Sequence, residues 1–323
     1  MKTWFGNVIG SNGDKARHQP FDLALDEGDG VASACIKPDP ADKATLSQLE
    51  KNLGSVPRPS WVWHEMQAAF AGQASLHDIG HIIAQDTALA AEIIRAANAP
   101  AFDLLKPIVD VERAVAHLGS NMVRSISTRQ CLSSALYNGP AFFDQQMLWR
   151  HSMAVSALAE IIAGYVPRCN AAEAATLGLL HDLGRMLLNH VLRASQAQPA
   201  TALLKPRGFL QWEDTMAGCT HIEAGIMLAM AWELPEQLIR AIGHHHDPAF
   251  AEPNDVPVEI RREVFTVYLA DLMAIHLKFS GGNPCKTMPL DSWGSLMPKT
   301  TLQELASCEA VNKALWKVHA TDL

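Results

Sequence analysis

From Trp61 onward, apolar residues recur every three or four positions. Ile79, Ile82 and Ile83, for example, have the i, i+3, i+4 spacing that places side chains on one face of an α-helix. No stretch alternates apolar and polar residues with period two for long enough to form a strand. Prolines and glycines divide the periodic part into segments of roughly 10–15 residues, which predicts a compact array of helices joined by short turns.

The same pattern gives the approximate bounds of the helices. A short helix is expected over 43–53, and the second half should contain helices over 147–164, 171–191, 221–232, 235–244, 261–278 and 301–319. Residues 1–55 otherwise have no period and contain breakers such as Lys37-Pro38-Asp39-Pro40, which indicates a partly irregular extension. With a boundary near residue 139, the remaining segments are an N-terminal helical half (56–138), a C-terminal helical half (139–280) and a C-terminal loop and helix (281–323).

Composition supports an all-α fold. Of the 323 residues, 48% are hydrophobic and only 7% aromatic, with many Ala and Leu residues, which lose little on entering a helix. Lys and Arg number 26 against 34 acidic residues, a net charge of 26 − 34 = −8, and no dense basic stripe is present. We therefore expect a protein or small-ligand partner rather than a nucleic acid.

Features that the sequence lacks indicate where in the cell the protein is located. The chain has neither the apolar core of a signal peptide nor the ~20 apolar residues that a membrane span requires. Its six cysteines form no C-x-x-C pair, so reduced thiols are expected. Together these features predict a cytoplasmic protein that does not bind a membrane.

Histidine is the residue type that indicates chemistry, since the chain has 14 and eight lie between His151 and His276. Neutral imidazole is the commonest protein ligand for metal ions. Two acids, Asp182 and Asp271, lie in otherwise apolar helical segments, where an unpaired carboxylate would cost several kcal/mol. A divalent ion would satisfy both acids, although any one histidine could equally be a hydrogen-bonded core or surface residue. The candidate ligands are His151, His181, Asp182, His221, His245, His246 and Asp271.

A second His-Asp pair, His77-Asp78, has a simpler explanation. Ser75 precedes it in the form Ser-x-x-Asp, which is typical of a helix N-terminus with Ser75 as N-cap and Asp78 at the third helical position. His77 and His81 lie one turn apart and could chelate an ion at the surface. We expect an ordinary exposed pair there and assign it no function.

The candidate ligands, in their order along the chain, resemble the ligand set of the HD superfamily of metal-dependent phosphohydrolases. The resemblance is closer to its HDOD branch, a bacterial signalling relative, and covers about residues 55 to 280. In the N-terminal half it rests on the segments 82–86, 94–98 and 114–119. In the C-terminal half it rests on Trp149-Arg150-His151-Ser152, Leu180-His181-Asp182-Leu183-Gly184 and His245-His246-Asp247-Pro248.

This resemblance implies an all-helical fold, an HD-like bundle in the C-terminal half packed on a smaller N-terminal half, and a role in bacterial signal transduction. It also implies one or two divalent ions (Fe, Mn or Mg). Active relatives of the HD-GYP type carry Lys where this chain has Arg185, and the chain lacks their Gly-Tyr-Pro loop. Both departures argue against a cyclic-dinucleotide substrate.

Two functions follow. The first is a regulatory module that acts through protein or small-ligand binding and holds a metal. The alternative is an active phosphohydrolase for a nucleotide or phosphate ester, in which Asp182 bridges two ions and Arg185 stabilises charge on the phosphoryl oxygens. Structural metal binding without turnover, or oxygen chemistry at a di-iron centre as in some HD relatives, also remains open.

Overall fold

The computed structural model describes residues 38–56, 61–136, 145–194, 209–277, 279, 289–297, 305 and 308–320. Within these residues the regular secondary structure consists of helices, and no strand is present. The all-α prediction is therefore confirmed. The boundary expected near residue 139 and the loop expected over 281–284 lie outside the described residues.

The first five α-helices belong to the N-terminal part. They are α1 (Lys43–Asn52), α2 (Trp61–Ala71), α3 (Leu76–Ile83), α4 (Thr87–Ala97) and α5 (Val111–Leu136). The remaining eight described helices follow. They are α6 (Gln145–Ala163), α7 (Ala171–Leu180), α8 (Gly184–Ala194), α9 (Phe209–Ala217), α10 (His221–Ala231), α11 (Glu236–His244), α12 (Arg261–His276) and α13 (Glu309–Ala320).

Polar caps begin several of these helices. The Asp86 side chain accepts a hydrogen bond from Leu89 N at 3.0 Å at the start of α4, and Asn170 caps α7 in the same way. Such caps satisfy backbone N–H groups that have no partner within the helix. Within α5, Gly119 has a left-handed φ of +75° and interrupts the helix.

The N-terminal half is built around α5, against which α2, α3 and α4 pack. Its core is formed by apolar residues at helical spacing, among them Trp63, Ile79, Ile83, Leu89 and Ile93, all fully buried. Since this periodicity was already visible in the sequence, the core of this half follows directly from it.

The C-terminal half is centred on α6, α7 and α12, which pack against one another. Helix α12 is buried on all sides from Glu263 to Ala274. Two further helices, α8 and α11, pack on α10, and α5 joins the two halves by packing on α7. Helix α1 packs on α8 and α10, so the described end of the N-terminal extension is part of the folded body.

Two predicted helices differ from the structure. The helix expected over 301–319 is interrupted at Cys308, which is not helical, and α13 covers Glu309–Ala320. The expected helix over 171–191 is two helices, α7 and α8, and His181, Asp182 and Leu183 form the turn between them. The cause is a tertiary contact: a Cβ on Gly184 would lie only 1.9 Å from the carbonyl oxygen of His221. The chain must turn here for the backbones of α8 and α10 to meet, and only glycine allows that approach.

Candidate metal centre

The structure brings the seven predicted ligands together in the interior of the C-terminal half. Two elements supply single residues: His151 lies in α6 and Asp271 in α12. His221 is the first residue of α10, and His245 and His246 directly follow α11. The turn between α7 and α8 supplies His181 and Asp182. All but His246, which is partly exposed, are buried.

Three of these residues form a first group: His151, His181 and Asp271. One ligand atom from each lies within 4.8 Å of the others. His151 Nε2 is 3.1 Å from Asp271 Oδ1, and His181 Nε2 is 4.0 Å from Asp271 Oδ2. This group therefore combines two imidazoles and one carboxylate, a donor set that suits divalent transition-metal ions.

Three histidines form the second group. The Nε2 atom of His221 lies 3.2 Å from Nε2 of His245 and 3.1 Å from Nε2 of His246. Here, too, the ligand atoms lie within 4.8 Å of one another.

Asp182 lies between the two groups and reaches both with different oxygens. Its Oδ2 is 3.7 Å from His151 Nε2 and 3.5 Å from His181 Nε2. Its Oδ1 is 3.3 Å from His221 Nε2. A carboxylate placed in this way has the arrangement needed to bridge two ions.

Backbone and side-chain acceptors orient the imidazole rings. His181 Nδ1 lies 2.7 Å from the carbonyl oxygen of Gly178, and His245 Nδ1 lies 2.6 Å from that of Ile242. A carbonyl oxygen only accepts, so Nδ1 carries the hydrogen in both rings and Nε2 presents its lone pair to the cluster. Rings held by an outer partner in this way are characteristic of metal ligands.

Glu213 is part of the site, although the candidate ligands predicted from the sequence do not include it. From α9, its Oε2 lies 2.6 Å from His221 Nδ1 and accepts a hydrogen bond from His221 N at 2.8 Å. The sequence did not predict that Glu213 is buried, because the residue pattern of α9 does not indicate which face of the helix points toward the core. Trp212, the preceding residue, packs against the core.

Arg185 lies beside the cluster and contacts two of its carboxylates. Its Nη1 donates to Asp182 Oδ2, and its Nε donates to Glu213 Oε1 at 3.4 Å. The side chain is only 17% exposed. Arg185 therefore connects the bridging carboxylate to the carboxylate that orients His221.

The electrostatics of the cluster favour ligands in their binding forms. Burial raises the pKa of Asp182, but nearby positive charge, that of Arg185 above all, outweighs burial and holds that pKa well below its usual value. Burial is the main cause that lowers the pKa of His245 well below its ordinary value. A carboxylate and a neutral imidazole are the forms that bind metals.

The donor set fits a divalent ion. Nε2 of His221 and Nε2 of His245 face each other across 3.2 Å, an arrangement that a shared cation would stabilise. The buried carboxylates of Asp182 and Asp271 add negative charge to the same cluster, where an ion would compensate it. The described site thus supports a divalent metal site, without defining the element or the number of ions.

Two other segments that the sequence singled out do not contribute to this cluster. His244, the first of the three consecutive histidines, pairs with Asp247 Oδ2 at 2.6 Å and is not part of either group. The predicted capping box at Ser75 and Asp78 is present, with Asp78 N donating to Ser75 Oγ at 3.2 Å and Ser75 Oγ lying 2.6 Å from Asp78 Oδ2.

Comparison with known families agrees with this fold. The model of the HDOD domain matches residues 56–248, more than half of the chain. The chain therefore belongs to the HDOD family. Asp271 lies beyond the matched region, although it contacts ligands within it.

Solved structures of similar fold come from several bacteria. An HDOD domain protein of unknown function from Geobacter sulfurreducens is 22% identical, with a TM-score of 0.67 over 86% of this chain and 97% of that one. A protein from Marinobacter aquaeolei VT8, provisionally assigned to signal transduction, is 17% identical, with a TM-score of 0.66 over 86% of this chain and 65% of that one. One from Shewanella amazonensis SB2B, provisionally assigned as a metal-dependent phosphohydrolase, is 17% identical, with a TM-score of 0.57 over 86% and 98%.

Among curated proteins, an uncharacterised protein of Treponema pallidum is 24% identical over 254 residues. The match covers 75% of this chain and 46% of that protein, so this chain spans about half the length of that relative. Among the described helices, none has the length and apolar character needed to cross a bilayer. Four cysteines in the described residues are not joined in a disulfide: Cys131, Cys169, Cys219 and Cys308.

Proposed function

We propose that this chain is a regulatory signal-transduction module that binds a small ligand or a protein partner and holds a divalent metal centre. His151, His181 and Asp271 would hold one ion, and His221, His245 and His246 a second, with Asp182 between them. When bound, a divalent ion supplies Lewis-acid polarisation and acidifies water. The net charge of −8 supports a protein or small-ligand partner rather than a nucleic acid.

The observation that carries the regulatory function is the pairing of Arg185. Its guanidinium is held by Asp182 and Glu213, both of which are buried. The Nη1 and Nε donors could turn to the phosphoryl group of a substrate only by releasing two carboxylates in a region of low dielectric, which is costly. The side chain nearest to the cluster that could serve a phosphate is therefore engaged in maintaining the site.

A second candidate, an active phosphohydrolase for a nucleotide or phosphate ester, is favoured by a different observation. All seven predicted ligands converge, and Asp182 faces both groups, as a binuclear hydrolytic site requires. In that case Asp182 and Arg185 would be the catalytic residues. The fold shared with the Shewanella protein is compatible with either function.

One experiment separates the two. Untagged protein is purified without chelator under low oxygen, its metal content is measured by elemental analysis, and the metal-loaded protein is assayed on a panel of nucleotides and phosphate esters. The regulatory function predicts about two equivalents of metal and no turnover. Turnover that disappears in Asp182→Ala together with the metal would establish the hydrolase instead, and a metal content well below one equivalent, even after metal is added, would refute the metal centre.

A further inference from the structure

An exposed cluster on the N-terminal half contains the histidine pair to which the sequence gave no role. His77 and His81 lie one turn apart on α3, and their Nε2 atoms are 3.1 Å apart. Glu112, in the first turn of α5, places Oε1 3.6 Å from His77 Nδ1 and 3.8 Å from His81 Nε2. One ligand atom from each of the three residues lies within 4.8 Å of the others.

The fold, rather than chance contact at the surface, sets this arrangement. The capping box of Ser75 and Asp78 fixes the start of α3 and occupies Asp78, the acid next to His77. Gly80, between the two histidines, faces Glu112: a Cβ there would be in ordinary contact with it, 3.5 Å from Glu112 Cγ and 3.6 Å from its Cα. Glu112 is thereby placed opposite the histidine pair.

The distances suit a small ion. Two ligand atoms at about 2.1 Å from a tetrahedral ion lie about 3.4 Å apart. His81 Nε2 lies near that distance from one atom of each partner, at 3.1 Å from His77 Nε2 and 3.8 Å from Glu112 Oε1. Histidines at i and i+4 on one helix face are a recurring pair in zinc sites. Two imidazoles with one carboxylate favour Zn²⁺, Ni²⁺ or Cu²⁺ over Mg²⁺ or Ca²⁺, which prefer all-oxygen sites.

We propose that His77, His81 and Glu112 form a second metal site, which binds one borderline divalent ion such as Zn²⁺ at the surface and links α3 to α5. The site shares no residue with the buried cluster and does not depend on the function proposed for it. Its side chains are more than half exposed, at 63% for each histidine and 56% for Glu112. An ion can therefore reach it directly from solvent, and a fourth position stays open to water.

The first test counts zinc ions. Equilibrium dialysis against Zn²⁺ compares the wild-type chain with the double variant His77→Gln/His81→Gln, and with His117→Gln as a control that removes another exposed histidine of this half. We expect the double variant to bind one equivalent less than the wild type, and the control to bind the same amount. Equal stoichiometry in all three proteins would overturn the proposal.

The second test asks whether Glu112 is a ligand. Glu112→Gln should weaken zinc binding at this site at least tenfold, while Glu65→Gln, a change at another exposed acid, should not. Unchanged affinity in Glu112→Gln would refute the three-ligand site and reduce the cluster to an ordinary histidine pair. Because all three side chains are exposed, the variants should fold normally, which their zinc-free unfolding temperatures verify.

Discussion

Glu213 holds His221 at two points, through the backbone N at 2.8 Å and the ring Nδ1 at 2.6 Å. Both residues are fully buried. This double contact fixes the start of α10 and the orientation of its first side chain at the same time. As a result, His221 Nε2 faces Asp182, His245 and His246.

Glu213→Gln is expected to weaken metal binding at the buried site by about 10- to 100-fold, the usual effect of removing an outer carboxylate. The amide keeps the size of the side chain but loses the negative charge that makes His221 a stronger ligand. Titration calorimetry with Mn²⁺ measures the change. Asp214→Asn, at the next position, is the matched control and should bind as the wild type does; equal affinity in Glu213→Gln would show that Glu213 does not tune the ligand.

Gly184→Ala is expected to lower the free energy of unfolding by about 3 kcal/mol or more, because overpacking in a rigid contact cannot relax cheaply. The added methyl would lie 1.9 Å from His221 O and 2.4 Å from Gly225 N, both backbone atoms. Urea denaturation of the metal-free protein measures the loss. Gly54→Ala, where nothing lies within 4 Å, serves as control; similar stability of the two variants would mean that α8 and α10 can separate freely.

Metal removal is expected to destabilise the fold, because the ligands come from five separate elements of the C-terminal half and an ion would tie them together. At a metal concentration of 100 times the dissociation constant, binding stabilises the folded state by about 2.7 kcal/mol. Thermal unfolding with added Mn²⁺, and again after treatment with a chelator, measures the difference. The change in unfolding temperature should vanish in Asp182→Ala and persist in Asp214→Asn. If neither Mn²⁺ nor the chelator changes the unfolding temperature of the wild type, the prediction is wrong.

One buried thiol, Cys219, and one partly buried thiol, Cys169, should resist alkylation until the protein unfolds. Burial raises the pKa of Cys169 and of Cys219 to about 12 in each case, and only the thiolate reacts. At pH 9, about one thiol in a thousand would then be ionised in the folded protein, whereas most unfolded thiols, with a pKa near 8.5, would be. Iodoacetamide labelling at pH 9, read by peptide mass spectrometry with and without urea, tests this; fast labelling of either residue without urea would contradict the burial argument.

The same two thiols should lower the free energy of unfolding as the pH becomes alkaline. A pKa that is raised on folding means that the folded state holds the proton more tightly, so the contribution is complete below about pH 8.5. It is lost as the pH rises from there toward 12. The unfolding free energy of the double variant Cys169→Ala/Cys219→Ala should therefore depend less on pH above 9 than that of the wild type, as urea titrations at pH 8 and pH 10 would show.

Much of this molecule was predictable from local signals. Apolar periodicity and polar caps located α1, α6, α10, α11 and α12 to within a few residues, because these signals act within one turn of helix. The seven candidate ligands were also named from the sequence, since acids in apolar segments need a partner. Their role as metal ligands stays a prediction that elemental analysis can test.

Three features required the tertiary structure. The break at His181 depends on a contact between Gly184 and His221, which are far apart in sequence, and the broken helix directs both His181 and Asp182 into the cluster. Glu213 acquires its role only because α9 packs on α8 beside the start of α10. Glu112 meets His77 and His81 only because α3 lies against α5.

The sequence by itself thus determined the helices, the class of fold and the residues able to bind a metal, because periodicity, capping and side-chain chemistry are local properties. Only the tertiary structure decided which oxygen of Asp182 faces which group of histidines, and which carboxylates hold Arg185 and His221 in place. Those relationships depend on how helices approach one another. That approach is fixed by packing between residues distant along the chain, which no short stretch of sequence encodes.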